Sequence, residues 1–558
     1  MGNNIYLPLG VDLFPKLRED EFYYVDKTEF ISELLSQKSE VNLITRPRRF
    51  GKTLMLSMLN EFLDIRRDNR SLFEGLAIEK HTELCRKWMN TRPVLFLSLK
   101  DVGGLDYEEA FGQMQTLLYE LCLEHSYLAD SDKVSESDKA KFSLLEKDSA
   151  GQKDIAGSLK TLTRMMADHY GRPAVLLIDE YDVPLARAHS EGYYREMLNL
   201  LRSMLSAVMK TNPSLEFAVL TGCLRIAKES IFTGVNNFVS HSISDKTYSK
   251  CFGFTEDEVK SLLVCAGLES HFDEMKQWYD GYRFGGVDIY CPWDVLNHVA
   301  ALQRNPDMRP KSYWKNTSHN DIIRQFIGQE HFNIKKKFET LLAGGAIREP
   351  IVESLTYEDL LDKEENLWSM LYLTGYLTEA ENISSDGNVT ALRIPNEEIK
   401  TIFLESIVGW FEDCVRDSKY INRSELFEKM WGGDADYLST EVSRMLFRTI
   451  SYYDYREDFY HAFLTGLFVN CGYLVESNRE YGLGRTDIVV KDDNHFRAVV
   501  FEVKHADSAG QMEQMCRGAV KQITSRQYDV ALEEGYETVL GYGVVFCGKK
   551  CRFTLMER

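Results

Sequence analysis

Short runs that are apolar at nearly every position recur through the first 245 residues: VNLIT at 41–45, PVLFLSL at 93–99, AVLLID at 174–179 and EFAVLTG at 216–222. Strands covered on both faces read this way, whereas a half-exposed strand alternates. Stretches of helical periodicity separate the runs, the clearest at about 193–209, and residues 22–37 pass from an aromatic strand or turn into an amphipathic helix. Strands alternating with helices predict a three-layer α/β domain over 1–245. Polar stretches at 130–138 and 146–157 are expected to be surface loops.

Beyond 250 the pattern is mainly helical, and 246–449 reads as a helical connector. Its exception is LYLTGYLTEAE, NISSDGN and VTALRIP (371–395), a hairpin after a helix at 364–371, which predicts a winged-helix-like element. Further helices are expected at 396–417 and 424–448. Residues 450–558 form an α/β pattern of their own: a helix at 455–469, a strand, a hairpin, a helix at 510–528, the strand VLGYGVVF and a short CRFTLM strand.

With 558 residues the chain exceeds what one core serves. A net charge of −20 argues against non-specific coating of nucleic acid, yet it leaves room for an acidic site with local basic walls. No run is long and apolar enough for a membrane span, and MGNNIYLPLG does not read as a secretory leader. Eleven cysteines, an odd number without paired spacing, suggest reduced thiols and a cytoplasmic address. The cluster Lys335–Lys337 is expected to be a solvated helix face.

Two stretches carry chemistry. In RPRRFGKT (46–53), strand VNLIT leads into Gly51, Lys52 and Thr53. Gly51 lets backbone approach phosphates, Lys52 supplies charge, the Thr53 hydroxyl suits Mg²⁺, and Arg48 and Arg49 add a basic patch. Arg46 stands where a phosphate loop usually opens with glycine. Asp179, closing the strand LLID, is placed for a metal shell, and Glu180 to orient or deprotonate water. These residues predict an ATP and Mg²⁺ site.

Near the C-terminus, GRTDIVV (484–490), the turn KDDN and FRAVVFEVK (496–504) read as a β-hairpin. Alternation puts Glu502 and Lys504 on one face, Phe501 and Val503 on the other, and closure brings Asp487 beside the first pair. Two carboxylates and an ammonium on one edge suit a divalent cation and a water aimed at a phosphodiester.

RPRRFGKT, LLIDEYDVPL (176–185), TGCLRIAKESIFTGVNNF (221–238) and WYDGYRF (278–284) resemble the AAA-ATPase-like family of P-loop proteins that carry a C-terminal PD-(D/E)XK nuclease domain. The resemblance implies a restriction-endonuclease-like fold for 450–558, and an Arg-rich loop is usual in that family. It implies that Thr221 senses a γ-phosphate and that Arg225 reaches phosphates in cis or from a neighbour; a salt bridge is the alternative for Arg225. It also implies that Asp487, Glu502 and the Val503 carbonyl ligate Mg²⁺ or Mn²⁺. Lys504 would then act on water or phosphate, with Glu457 and Gln522 assisting from flanking helices. His461, one turn beyond Glu457, could approach the same place. Tyr24, Asp26 and Lys27 either flank a base or fold an N-terminal cap. WYDGYRF and IYCPWDVLNH (289–298) read as packing.

The expected function is therefore an ATP-binding and hydrolysing protein coupled to a metal-dependent nuclease acting on nucleic acid, DNA first, with homo-oligomers possible. The alternative is a nucleotide-dependent switch or scaffold whose nuclease-like domain only binds nucleic acid or a protein partner. A phosphotransferase fits less well, because LLIDE followed by YD favours water activation.

Overall fold

Val41–Thr45 (β1), Val94–Ser98 (β2), Ala174–Asp179 (β3), Leu215–Gly222 (β4) and Phe238–His241 (β5) form one parallel sheet in the order β2-β3-β4-β1-β5. Every residue of β1 and β3 is buried, as their unbroken apolar composition requires. The β3–β4 register pairs Ile178 with Leu220, and that of β1–β4 pairs Thr45 with Gly222. The loops that follow β1, β3 and β4 therefore gather at one sheet edge, where parallel α/β sheets place their ligands. Helix α1 (Lys52–Leu63) starts there.

The computed structural model describes residues 5–147, 150–226, 232, 238–314, 334–355, 357, 363–380, 389–406, 423–449, 457–468, 473–477, 480–482, 484–533 and 535–557. By packing, the chain falls into two units, Met1–Trp314 with Arg348–Glu398, and Lys315–Ile347 with Ile399–Arg558. Residues 246–449 contribute to both units.

Both polar stretches expected to be loops hold helix starts. Ser135 accepts the Asp138 amide and opens the helix Glu136–Leu145. Gln152–Tyr170 begins with the Asp154 carboxylate bound to the Gly151 amide and ends on left-handed Gly171. Caps are polar, so a reading based on apolar periodicity mistakes them for loop. In the middle stretch, Glu364–Leu373 is helical, and Thr378–Glu379 pairs antiparallel with Val389–Arg393 in a three-stranded sheet completed by Ile347–Pro350. The expected wing tip at 381–388 lies outside the described residues.

The second unit carries α2 (Glu457–Phe468), α3 (Met512–Ser525) and a sheet of Leu474–Ser477 (β6), Ile488–Asp492 (β7), Arg497–His505 (β8), Thr538–Cys547 (β9) and Lys550–Leu555 (β10) in sequence order. Only the β8–β9 pair is parallel among these neighbours. Val489, Ala498 and Val500 pack with Ile523, Tyr528 and Leu532 on one face. On the other, Phe501 stacks on Phe468 of α2 and on Tyr542. No helix among the described residues is long and apolar enough to cross a membrane.

Candidate functional site

At the edge of the first sheet, Gly51 adopts φ 82° and Arg49 φ 72°, so the loop turns twice through left-handed backbone before α1. Glycine takes that conformation freely; arginine must be held in it. Lys52 Nζ donates to the carbonyls of Arg46 (3.0 Å) and Pro47 (2.9 Å) and lies 3.7 Å from Cys223 Sγ. Thr53 and Thr221 donate their hydroxyls to the two oxygens of buried Asp179, at 2.6 and 2.5 Å. Three elements thus converge on one carboxylate. Glu180 follows in left-handed backbone, φ 53°. Burial pushes its carboxyl above the ordinary range, against the pull of Lys52.

In the second unit the β7–β8 register, Ile488 opposite Phe501, continues to place Asp487 opposite Glu502 on one face. Asp487 Oδ2 accepts the Val503 amide at 2.8 Å, and Glu502 Oε1 accepts from Lys504 Nζ at 2.8 Å. Glu502 is 1% exposed and Lys504 27%, so the pair opens to solvent at the amine. His461 Nε2 lies 2.8 Å from the Asp487 carbonyl, an acceptor, so that nitrogen carries the proton and ties α2 to the hairpin.

Residues 8–232 match the family described as Predicted AAA-ATPase, and residues 455–554 match the PD-(D/E)XK nuclease superfamily. The chain joins an AAA-ATPase-like domain to a PD-(D/E)XK nuclease-superfamily domain. It is also 27% identical over 528 residues to an uncharacterised protein in the vnfD 5' region of Azotobacter chroococcum mcd 1, with 92% of each chain covered.

Within the AAA-ATPase-like domain, Gly51, Lys52, Thr53, Asp179, Glu180 and Thr221 stand together as described. Arg48 reaches Cys223. Arg49 lies over the Trp293 ring, 4.4 Å from its centroid. Arg225 Nη1 pairs with Glu353 at 3.7 Å, which is the salt-bridge alternative. Ten residues of the run 221–238, 227–231 and 233–237, lie outside the described residues. Arg46 is fully buried and donates to the carbonyls of Thr45, His241, Thr247 and Tyr248, between the rings of Phe252 and Phe284. Burial pulls its guanidinium down to about 10. Arg46 is therefore a staple between loop and domain, which explains an arginine where glycine is usual. Tyr24, Asp26 and Lys27 are likewise fastened: Tyr24 to Met58 Sδ, Asp26 to the amides of Thr28 and Ala77, Lys27 to Glu258.

The YD after LLIDE, Tyr181 and Asp182, was expected only to favour water activation, yet its contacts hold the segment after β4. Asp182 Oδ2 accepts the amides of Cys223 and Leu224, both at 2.9 Å, while its buried Oδ1 has no hydrogen-bond partner. Tyr181 Oη donates to the Leu224 carbonyl (2.7 Å) and accepts the Ile226 amide (3.0 Å). Gly222 makes this approach possible, since a Cβ there would lie 2.6 Å from Asp182 Oδ1. The signal was present in DEYD, a third acid three residues after Asp179.

In the nuclease-superfamily domain, Gln522 of α3 bonds the Tyr528 phenol, whose proton is held more tightly by burial and by the nearby Glu502 and Asp487. Gln522 and the two acids therefore surround one hydroxyl that sequence reading had not included. Glu457 begins α2; its side chain, like that of Arg485, lies outside the described residues, as does Arg479 entirely. Among the described residues no group of three or more His, Cys, Asp or Glu is arranged to hold a metal. Asp487 and Glu502 supply two hard oxygen donors on one face, a fit to Mg²⁺ or Mn²⁺ as far as two ligands go.

Proposed function

We propose that the chain binds and hydrolyses ATP and that its second unit cleaves phosphodiester bonds of nucleic acid, DNA first, with a divalent metal. The reading is carried by one observation: Asp487 and Glu502 face each other across β7 and β8 with Lys504 on the same face. Asp487, Glu502 and the Val503 carbonyl would hold Mg²⁺ or Mn²⁺, aided by Glu457 and Gln522. The metal supplies a Lewis acid for water and phosphate. Lys504, partly exposed and beside Glu502, offsets negative charge gathering on the phosphate.

At the nucleotide site Arg48, Arg49, Gly51 and Lys52 surround phosphates, and Thr53 with Asp179 would hold Mg²⁺. Glu180, kept protonated to a higher pH than usual by burial, takes the water's proton once ionised. Thr221 reports the γ-phosphate through Asp179. Free cysteines at all nine described positions support a cytoplasmic address, and the domain limits 1–245, 246–449 and 450–558 remain our division by chemistry. Plasmid cleavage with Mg²⁺ or Mn²⁺, with and without ATP, tests the proposal. Equal cutting by wild type and Lys504→Ala removes the nuclease, and nuclease activity indifferent to Lys52→Ala removes the coupling.

A switch or scaffold that only binds nucleic acid or protein draws support from the −20 charge. Calorimetry with Mn²⁺ separates the readings: heat in the wild type that Asp487→Ala abolishes supports the nuclease, and none in the wild type supports the scaffold.

A further inference from the structure

The segment 289–298, expected to serve packing alone, grips the phosphate loop. Trp293 lies against the Arg49 guanidinium, and the Cys291 thiol donates to the Arg49 carbonyl at 3.8 Å. Those contacts bracket a residue in left-handed backbone, where a side chain is strained unless its surroundings hold it. Trp293 also donates its indole N–H to the Tyr313 carbonyl at 3.1 Å, and Asp294, next along, is fully buried, as is Glu398, whose charge acts on it. Two buried acids acting on each other disfavour being ionised together. Glu398 already accepts the amides of Tyr313 (2.5 Å) and Trp314 (2.8 Å) and the Ser312 hydroxyl. Burial pushes both carboxyls up, Asp294 well above the ordinary range, while the donors on Glu398 pull that group back down.

Trp314 and Glu398 are the last residues of the first unit at both points where the chain leaves it. One carboxylate thus fastens both exits, and its acid partner belongs to the turn that holds the phosphate loop.

Resting on the nucleotide reading above, we infer that Trp293 and Glu398, with Asp294 between them, are positioning residues that tie the Arg49 turn of the phosphate loop to both chain exits, so that nucleotide binding and the order of segments 312–314 and 396–398 change together. A ligand shifts a segment only as far as it binds the two arrangements differently. The Arg49 contacts supply a place for that difference to arise.

Hydrogen exchange on the full chain, with and without a non-hydrolysable ATP analogue and Mg²⁺, tests this, with calorimetry confirming binding in the same sample. In the wild type, exchange at 312–314 slows severalfold on binding. Glu398→Gln keeps the acceptor for both amides and gives Asp294 a donor, so it behaves as the wild type. In Glu398→Ala the analogue's Kd rises about tenfold and exchange at 312–314 no longer responds to it. Faster exchange in Glu398→Ala with unchanged affinity overturns the inference and leaves a purely structural clasp. Binding without any exchange response in the wild type overturns it too, while the nucleotide reading stands, and this holds even if Glu398→Ala fails to fold. No binding by the wild type, with Lys52→Ala as the blank, removes the nucleotide reading and the inference with it.

Discussion

The two sites are built on opposite plans. At the nucleotide edge charged groups are held from several elements: Lys52 by its loop carbonyls, Asp179 by two hydroxyls, Arg46 by four carbonyls, Asp182 by two amides. At the hairpin, Asp487 and Glu502 are brought face to face by strand register, and the Lys504 amine opens to water. A prearranged site resists loss of one member through its neighbours, whereas a site of three groups on one strand pair does not. Single substitutions should therefore cut deeper at the hairpin than at the phosphate loop.

The largest effect expected is from Lys504→Ala, which lowers phosphodiester cleavage about 10³-fold, measured as supercoiled plasmid loss under single-turnover conditions. Its Mn²⁺ affinity should stay within a few-fold of wild type, because the amine is not a ligand. Lys52→Ala comes next, at about 10²-fold in ATP turnover, read by phosphate release. If Lys52→Ala costs more than Lys504→Ala at their own reactions, the contrast between the two plans is wrong.

Asp182→Ala sharpens the comparison within the first site. It leaves the amides of Cys223 and Leu224 without their acceptor, a loss of about 1–3 kcal/mol, while Asp179, Thr53 and Lys52 keep their partners. Turnover should fall about tenfold with the nucleotide KM nearly unchanged, because the segment after Thr221 moves while the phosphate cradle does not. An equal rise in KM would show that Asp182 supports binding as well.

How much of this was legible in the sequence differs along the chain for physical reasons. The buried strands of the first sheet and the hairpin face of Glu502 and Lys504 follow from local periodicity, and the structure has both. Helix starts at Glu136 and Gln152 were hidden because capping residues look like loop. Arg46 read only as a departure from the usual glycine, since nothing local announces that carbonyls more than 190 residues away will surround its guanidinium. The supporting roles of Asp182 and Asp294 were hidden for the same reason: Cys223 with Leu224, and Glu398, lie far off in sequence. Local chemistry is written locally; the contacts that hold a site in shape are set by topology.

A pH-dependent prediction lies with Asp294, and its sign is opposite to that of a surface acid. Burial beside Glu398 raises its folded-state pKa well above the ordinary 3.8. A carboxyl raised in this way favours the folded state fully below its unfolded value, and that contribution is lost as pH climbs through the folded value. Asparagine has nothing to titrate. The stability of Asp294→Asn relative to wild type should therefore improve steadily from pH 4 upward, by at most about 1.4 kcal/mol per pH unit. Urea unfolding at pH 4, 5.5 and 7, followed by tryptophan fluorescence from neighbouring Trp293, measures it. A difference that does not vary with pH would mean that Asp294 is as readily ionised in the folded chain as in the unfolded one. The clasp at Glu398 would then have to be held by its amide and hydroxyl donors alone, and the first site would be less fully partnered than its described hydrogen bonds imply.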